Sequence, residues 1–200
     1  MKSTKFLNLG IVFIIVFPSW ITAQQNTTIY LRPVDSANIS GTVPDSDFNA
    51  ESVIEPRILL RFDLSEIPYA KRVIYSELTI GEIPLPDDFQ NFGLILSPIQ
   101  KPWNGDDVDW DQCGFDSDWN QPGGDWDDLE IAYSAVGPGL RRPPFFNVTS
   151  VVRDWVSGAS EKPNYGFLLM VTEDTPNTDA LIQILDVRRL DPLLKVEFAE

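Results

Sequence analysis

The sequence predicts an all-β fold, an antiparallel β-sandwich or jelly roll with one short helix, and three observations carry that expectation. In "RILLRFDLS", Ile58, Leu60, Phe62 and Leu64 alternate with Leu59, Arg61 and Asp63. That is the period of a strand with one face in a core and the other at least partly in water. Short apolar runs of this kind recur along the chain, each bounded by proline, glycine, asparagine or aspartate. A single segment departs from the rhythm and repeats at helical spacing.

Taken in order, the predicted strands are "RILLRFDLS", "RVIYSELTI", "FGLILSPI", "PFFNVT", "YGFLLMVT", "ALIQILDV" and "LLKVEF". Short strands separated by turn signals read as a sandwich of antiparallel sheets. The exception is "NVTSVVRDWVSG", where Val152, Trp155 and Val156 fall at i, i+3 and i+4, Thr149 can cap the start and Gly158 can end the segment. It predicts a helix of about two turns over one end of the sandwich, with Trp155 as a core plug between valines. No linker or repeat interrupts residues 24–200, which read as one domain.

Residues 1–23 are set apart from that domain. Lys2 and Lys5 precede the apolar run "FLNLGIVFIIVF", and "PSWITA" ends in a small residue, the pattern of a secretory signal peptide cut after Ala23. The run is shorter than a membrane span, and no cysteine stands at the cut to take a lipid, so the expected product is exported without membrane insertion, secreted or at the cell surface. The formal charge is −15, and loss of two lysines and no acid takes it to −17. A nucleic acid or an anionic lipid surface would be repelled.

The chain has no histidine, which excludes every Ser-His or Cys-His nucleophile arrangement and removes the usual zinc ligand. Cys113 is the sole cysteine, so no intrachain disulfide forms; its thiol is either a small half-buried side chain or free to pair with a second chain. Asn26, Asn38 and Asn147 begin glycosylation sequons that matter only in a host that modifies exported chains.

The segments "RILLRFDLSEIP", "PFFNVTSVVRDWVSG", "NYGFLLMV" and "DPLLKVEF" together resemble the DNRLRE domain, over roughly residues 28–198. The resemblance implies a single β-sandwich module of an exported protein. Some members are carbohydrate-binding modules attached to alginate-degrading enzymes, so it also implies glycan binding without catalysis. The same skeleton is similar to propeptides of transforming growth factor beta proteins, and a fold shared so widely does not fix a function. Trp103 and Trp110 match the family's tryptophan pair; "RRLDP" departs from its pattern.

Residues 103–128, "WNGDDVDWDQCGFDSDWNQPGGDWDD", hold four of the six tryptophans and nine aspartates with no lysine or arginine. Asp107, Asp109 and Asp111 alternate, and Asp118 follows at the spacing of the twelfth ligand of an EF-hand loop, so a structural calcium ion is one reading. Gln112 stands where such a loop needs glycine, which argues against an EF-hand proper. The other reading makes residues 107–111 a strand with Val108 and Trp110 inward and the carboxylates on a solvated face.

Trp119 and Trp126 lie in the turn-rich part, where an exposed indole would offer a face to a sugar ring; alternatively "GGDW" folds back and buries Trp126 in a satellite core. Arg141 and Arg142 are candidate partners for acidic groups of a polysaccharide, with Arg188 and Arg189 as a second pair. No spacing singles out the acid and base of a glycosidase. The leading expectation is a carbohydrate-binding module whose partner is a polysaccharide or cell-surface glycan, and the alternative is a structural or adhesive domain that binds no free sugar.

Overall fold

The computed structural model describes residues 25–43, 53–69, 71–129, 131–140, 142–158, 162–172, 181–182 and 184–199. The predicted signal peptide, residues 1–23, and Arg141 lie outside the described residues. Among the described residues no helix is long and apolar enough to cross a membrane.

Two antiparallel sheets form. One has the order β1 (Asn26–Leu31), β11 (Leu193–Ala199), β4 (Arg72–Thr79) and β9 (Phe145–Asn147). The other has the order β2 (Pro33–Val43), β3 (Val53–Phe62), β10 (Phe167–Val171), β5 (Phe92–Pro98) and β8 (Ala132–Val136). The chain crosses between sheets at Arg32, and Pro33 opens an edge strand, where its missing N–H costs no ladder bond. A small hairpin, β6 (Gln112–Gly114) and β7 (Ser117–Asp118), stands apart.

The main core lies between the sheets. Leu78, Leu194 and Val196 of the four-stranded sheet meet Leu60, Leu94 and Leu169 of the five-stranded one, all fully buried. Each such side chain contributes about 1.5–3 kcal/mol of apolar burial. Helix α1 (Thr149–Ser157) adds Val151, Val152 and Val156 to this core, and Gly158 ends it with φ 61°, as the sequence predicts. Trp155 packs on Phe167 with ring centroids 4.9 Å apart, but it is only half-buried.

Thr149 does not cap the helix. Val148 holds the cap position without a side-chain bond, while the Thr149 hydroxyl accepts from the Ser76 N–H at 2.9 Å and donates to the Asn147 side chain at 2.7 Å. The hydroxyl therefore ties the helix start to β4. A second correction concerns "ALIQILDV", predicted as a strand. Leu181, Ile182 and Ile184 are helical, and the Leu185 N–H donates to the Leu181 carbonyl at 2.7 Å. Leu181 and Leu185, both buried in the main core, use the i, i+4 spacing that the run also contains. A short helix, α2 (Val187–Leu190), follows.

The outward face of β3 is partly wet at Arg61 and at Asp63 just beyond it, as expected, but Arg57 and Leu59 on it are buried. Leu59 joins Ile39, Leu168, Met170 and Ile99 in a second apolar cluster on the outer face of the five-stranded sheet. What covers that cluster is the tryptophan- and aspartate-rich segment.

Candidate functional site

Residues 103–127 roof the outer face of the five-stranded sheet. Val108 and Trp110 do turn inward, but toward this outer cluster and not the sandwich interior. Residues 107–111 form no strand: the Asn104 carbonyl accepts from the Asp107 N–H at 3.1 Å and the Val108 N–H at 2.9 Å, closing a turn, and extended pairing begins only at Gln112.

The aspartates organise these turns. Asp109 accepts from the Asp111 and Gln112 N–H groups at 2.9 and 2.7 Å, and buried Asp125 accepts from the Asn120 N–H, its side-chain amide and the Gln121 N–H at 3.0, 2.8 and 3.0 Å. A carboxylate that receives backbone N–H groups substitutes for a ladder that a loop lacks. Asp107 accepts from the Asn104 amide at 2.8 Å; it, Asp111 and Asp118 are exposed. Among the described residues, no three or more Asp, Glu or Cys side chains form a group that could hold a metal ion.

Arg57 fixes the roof to the sheet. Its guanidinium, on a residue only 6% exposed, lies between two indoles, 4.7 Å from the centroid of Trp110 and 4.8 Å from that of Trp126. The edges of the fork are satisfied by Glu55 at 2.9 and 3.1 Å and by the Gly123 carbonyl at 2.9 Å. Stacked faces and bonded edges are the geometry a planar cation can complete and an ammonium cannot. Gly123 permits the approach: its φ is +88°, and a Cβ there would stand 2.5 Å from Arg57 Nη1. No sequence period announces this contact, because Arg57 and Gly123 are 66 positions apart.

The exposure expected of Trp119 is overturned. Trp119 is 6% exposed and its indole N–H donates to the Asp109 carbonyl at 3.0 Å. Sequence alternatives for Trp126 resolve toward the satellite core, where it is half-buried beneath Arg57. Trp103 is buried and donates to the Tyr165 carbonyl at 2.7 Å. The physical reason is common to all: Leu59, Leu168 and Met170 present apolar surface on the outer face of the sheet, and the indoles supply most of its cover. Cys113 is buried in the same cluster with its sulfur against Ser117, so it packs as a small side chain.

Of the candidate arginines, Arg142 is exposed and lines a cleft of about 330 Å3 with Glu82, Asp87 and four prolines. Among the described residues, no aromatic side chain lines that cleft. Arg188 is paired with Asp186 at 2.7 Å, so it is not a free fork for a ligand carboxylate.

A second cleft, of about 220 Å3, lies at the other end of β5. It is lined by Gln100, Asp127, Trp155, Lys162 and Tyr165 among others. Its wall forms because residues 125–127 stitch onto the chain beyond β5: Gln100 N–H donates to the Asp125 carbonyl and Asp127 N–H to the Pro98 carbonyl, both at 2.9 Å, with Trp126 bridged to Ile99. Strand alternation then turns Trp126 to Arg57 and Asp127 to the cleft. Asp127 is 3% exposed and ion-paired with Lys162, whose side chain reaches solvent. The Lys162 ammonium, with help from the Leu129 N–H and the Gln100 amide, holds the Asp127 carboxyl below the usual carboxylate range against the opposing effect of burial.

Trp155 and Tyr165 are both half-buried and supply the apolar surfaces of this cleft. Only Trp155 of these residues was singled out in the sequence, and as a core plug; it serves the core with one part and the cleft with another. Comparison of the chain with the profiles of known protein families found no match, and comparison with curated proteins found none either. The likeness to the DNRLRE domain rests on the four quoted segments.

Proposed function

We propose that the protein is an exported, non-catalytic carbohydrate-binding module whose ligand site is the cleft beside Trp155. The observation that carries this reading is the meeting, in one small concavity, of an indole, a phenol, an amide, a carboxylate and an ammonium. Aromatic faces suit the C–H faces of a sugar ring, and convergent polar groups suit its hydroxyls. Among the described residues, Asp127 is the one carboxylate lining the cleft, and its pKa is lowered, which suits an acceptor of hydroxyl protons better than a general acid.

The test is a glycan array followed by titration calorimetry on Lys162→Ala and Gln100→Ala. Binding should weaken at least about tenfold in each, the loss of one to two hydrogen bonds, with circular dichroism showing both variants folded. A silent array would defeat the reading. Repeating the array with a chelator tests the calcium expectation, since loss of binding or a lowered midpoint would assign an ion to the acidic segment.

A second reading, an adhesive domain that binds protein, is favoured by Leu129, Ile131 and Tyr133. These exposed apolar side chains lie in and just before β8, the end strand of its sheet.

A further inference from the structure

We infer that the cleft beside Trp155 selects an uncharged pyranose over a uronate of the same size, and that the Lys162–Asp127 pair is the device that does so. The inference rests on the glycan-binding reading and adds to it the class of sugar. Its size sets the first limit. About 220 Å3 is small beside the roughly 300–1,000 Å3 of sites that enclose a drug-sized ligand, so one ring is seated and any remaining chain lies outside.

Charge sets the second limit. Among the described residues lining the cleft, Lys162 is the only cation, and its ammonium is already bonded to Asp127. That pair leaves no net positive charge on the described lining, inside a chain of formal charge −15. A uronate carboxylate brought to Lys162 would stand within a few ångströms of the Asp127 carboxylate, and two like charges so close in a partly desolvated site repel strongly. A hydroxyl meets no such opposition. It can donate to an Asp127 oxygen or accept from the Gln100 amide without disturbing the pair, and hydrogen bonds with one charged partner are the stronger kind.

The Arg142 cleft offers no comparable site. It has a cation but also two carboxylates, Glu82 and Asp87, and among the described residues no aromatic face on which a ring could settle.

The experiment is titration calorimetry with neutral gluco- and manno-oligosaccharides against oligouronates of equal length, on the parent, Asp127→Asn and Lys162→Gln. In the parent, the best neutral ligand should bind at least tenfold tighter than any uronate. Asp127→Asn removes the carboxylate that would repel a uronate at Lys162, and should shrink the gap at least tenfold or reverse it. Lys162→Gln should weaken neutral binding several-fold, with circular dichroism and thermal midpoints showing both variants folded.

The measurement is repeated at 1 M salt, where the screening length is about 3 Å and repulsion from the chain as a whole is removed. A preference that survives belongs to the cleft; one that vanishes belongs to net charge and overturns the inference. Uronates bound as well as neutral sugars, or selectivity unchanged in Asp127→Asn, would also overturn it while leaving the glycan reading intact. No binding to either class would defeat both.

Discussion

The strands β10 and β11 sit in different sheets of the same sandwich and differ in what lies behind them. Along β11, "LLKVEFA", Leu194, Val196 and Phe198 are buried, while Leu193, Lys195 and Glu197 between them are only half-buried. Lys195 lies 5.5 Å from the Tyr75 ring, Tyr75 bonds Glu77, and Glu197 accepts from Asn26: the outer face of that sheet mixes polar side chains with exposed Tyr30 and Phe145 and is open to solvent. Along β10, "FLLMV", every residue is buried, because Phe167, Leu169 and Val171 face the main core and Leu168 and Met170 face the roof. One sheet has one packed face and the other has two. The difference teaches that the acidic, tryptophan-rich segment is a structural layer, and that its aspartates hold turns while its indoles fill space.

The sharpest way to break this comparison is to hollow the outer layer from the sheet side. Leu168→Ala should cost about 4 kcal/mol in urea unfolding, as much as a substitution in the main core. A cost below about 1 kcal/mol would mean that the roof merely rests on the sheet. Arg57→Ala should come next, at about 3 kcal/mol, since it strands Glu55 and the Gly123 carbonyl and leaves a gap between two indoles. Arg57→Lys should recover little of that loss, because an ammonium cannot stack and bond in the same plane.

Smaller still is the effect of Asp127→Asn on acid stability. The folded-state pKa of Asp127 is depressed, so its stabilising contribution is full above the ordinary carboxylate value of about 3.9 and fades as pH falls through the lower folded value. Chemical denaturation should therefore find the variant less stable than the parent at pH 6, with the gap closing below about pH 4. An unchanged gap at pH 3 would contradict that assignment. The smallest effect belongs to the open face: Lys195→Ala should shift stability by no more than about 0.5 kcal/mol.

How much of this could be read in the sequence depends on the distance over which each contact acts. Strand alternation marks β3, β4 and β11, and the unbroken apolar runs of β5 and β10 carry the signature of strands buried on both faces. The helix and its glycine end were legible because its period and its left-handed last residue are local, whereas its start, where Thr149 bonds Ser76 of β4, was not. The strands β1, β2 and β8 were not, having short or mixed runs such as "AYSAV".

The roof could not be assigned to its sheet because turn-rich segments have no period, and the burial of Trp119 depends on Leu59 and Leu168 from strands far away in sequence. The cleft was hidden for the same reason. Gln100, Asp127, Trp155 and Tyr165 come from four separate segments, and none of them differs in its local pattern from an ordinary loop or helix residue.

The concentration of indoles in the roof also gives the molecule a built-in optical probe. Trp103, Trp110, Trp119 and Trp126 all lie in that one layer, so intrinsic fluorescence reports mainly on the roof, whereas far-ultraviolet dichroism reports on the strands beneath it. Because β3, β5 and β10 belong to both layers, loss of either should strip one side of the same sheet. The two signals should therefore trace a single transition during unfolding, making tryptophan emission a measure of how cooperatively the whole domain holds together.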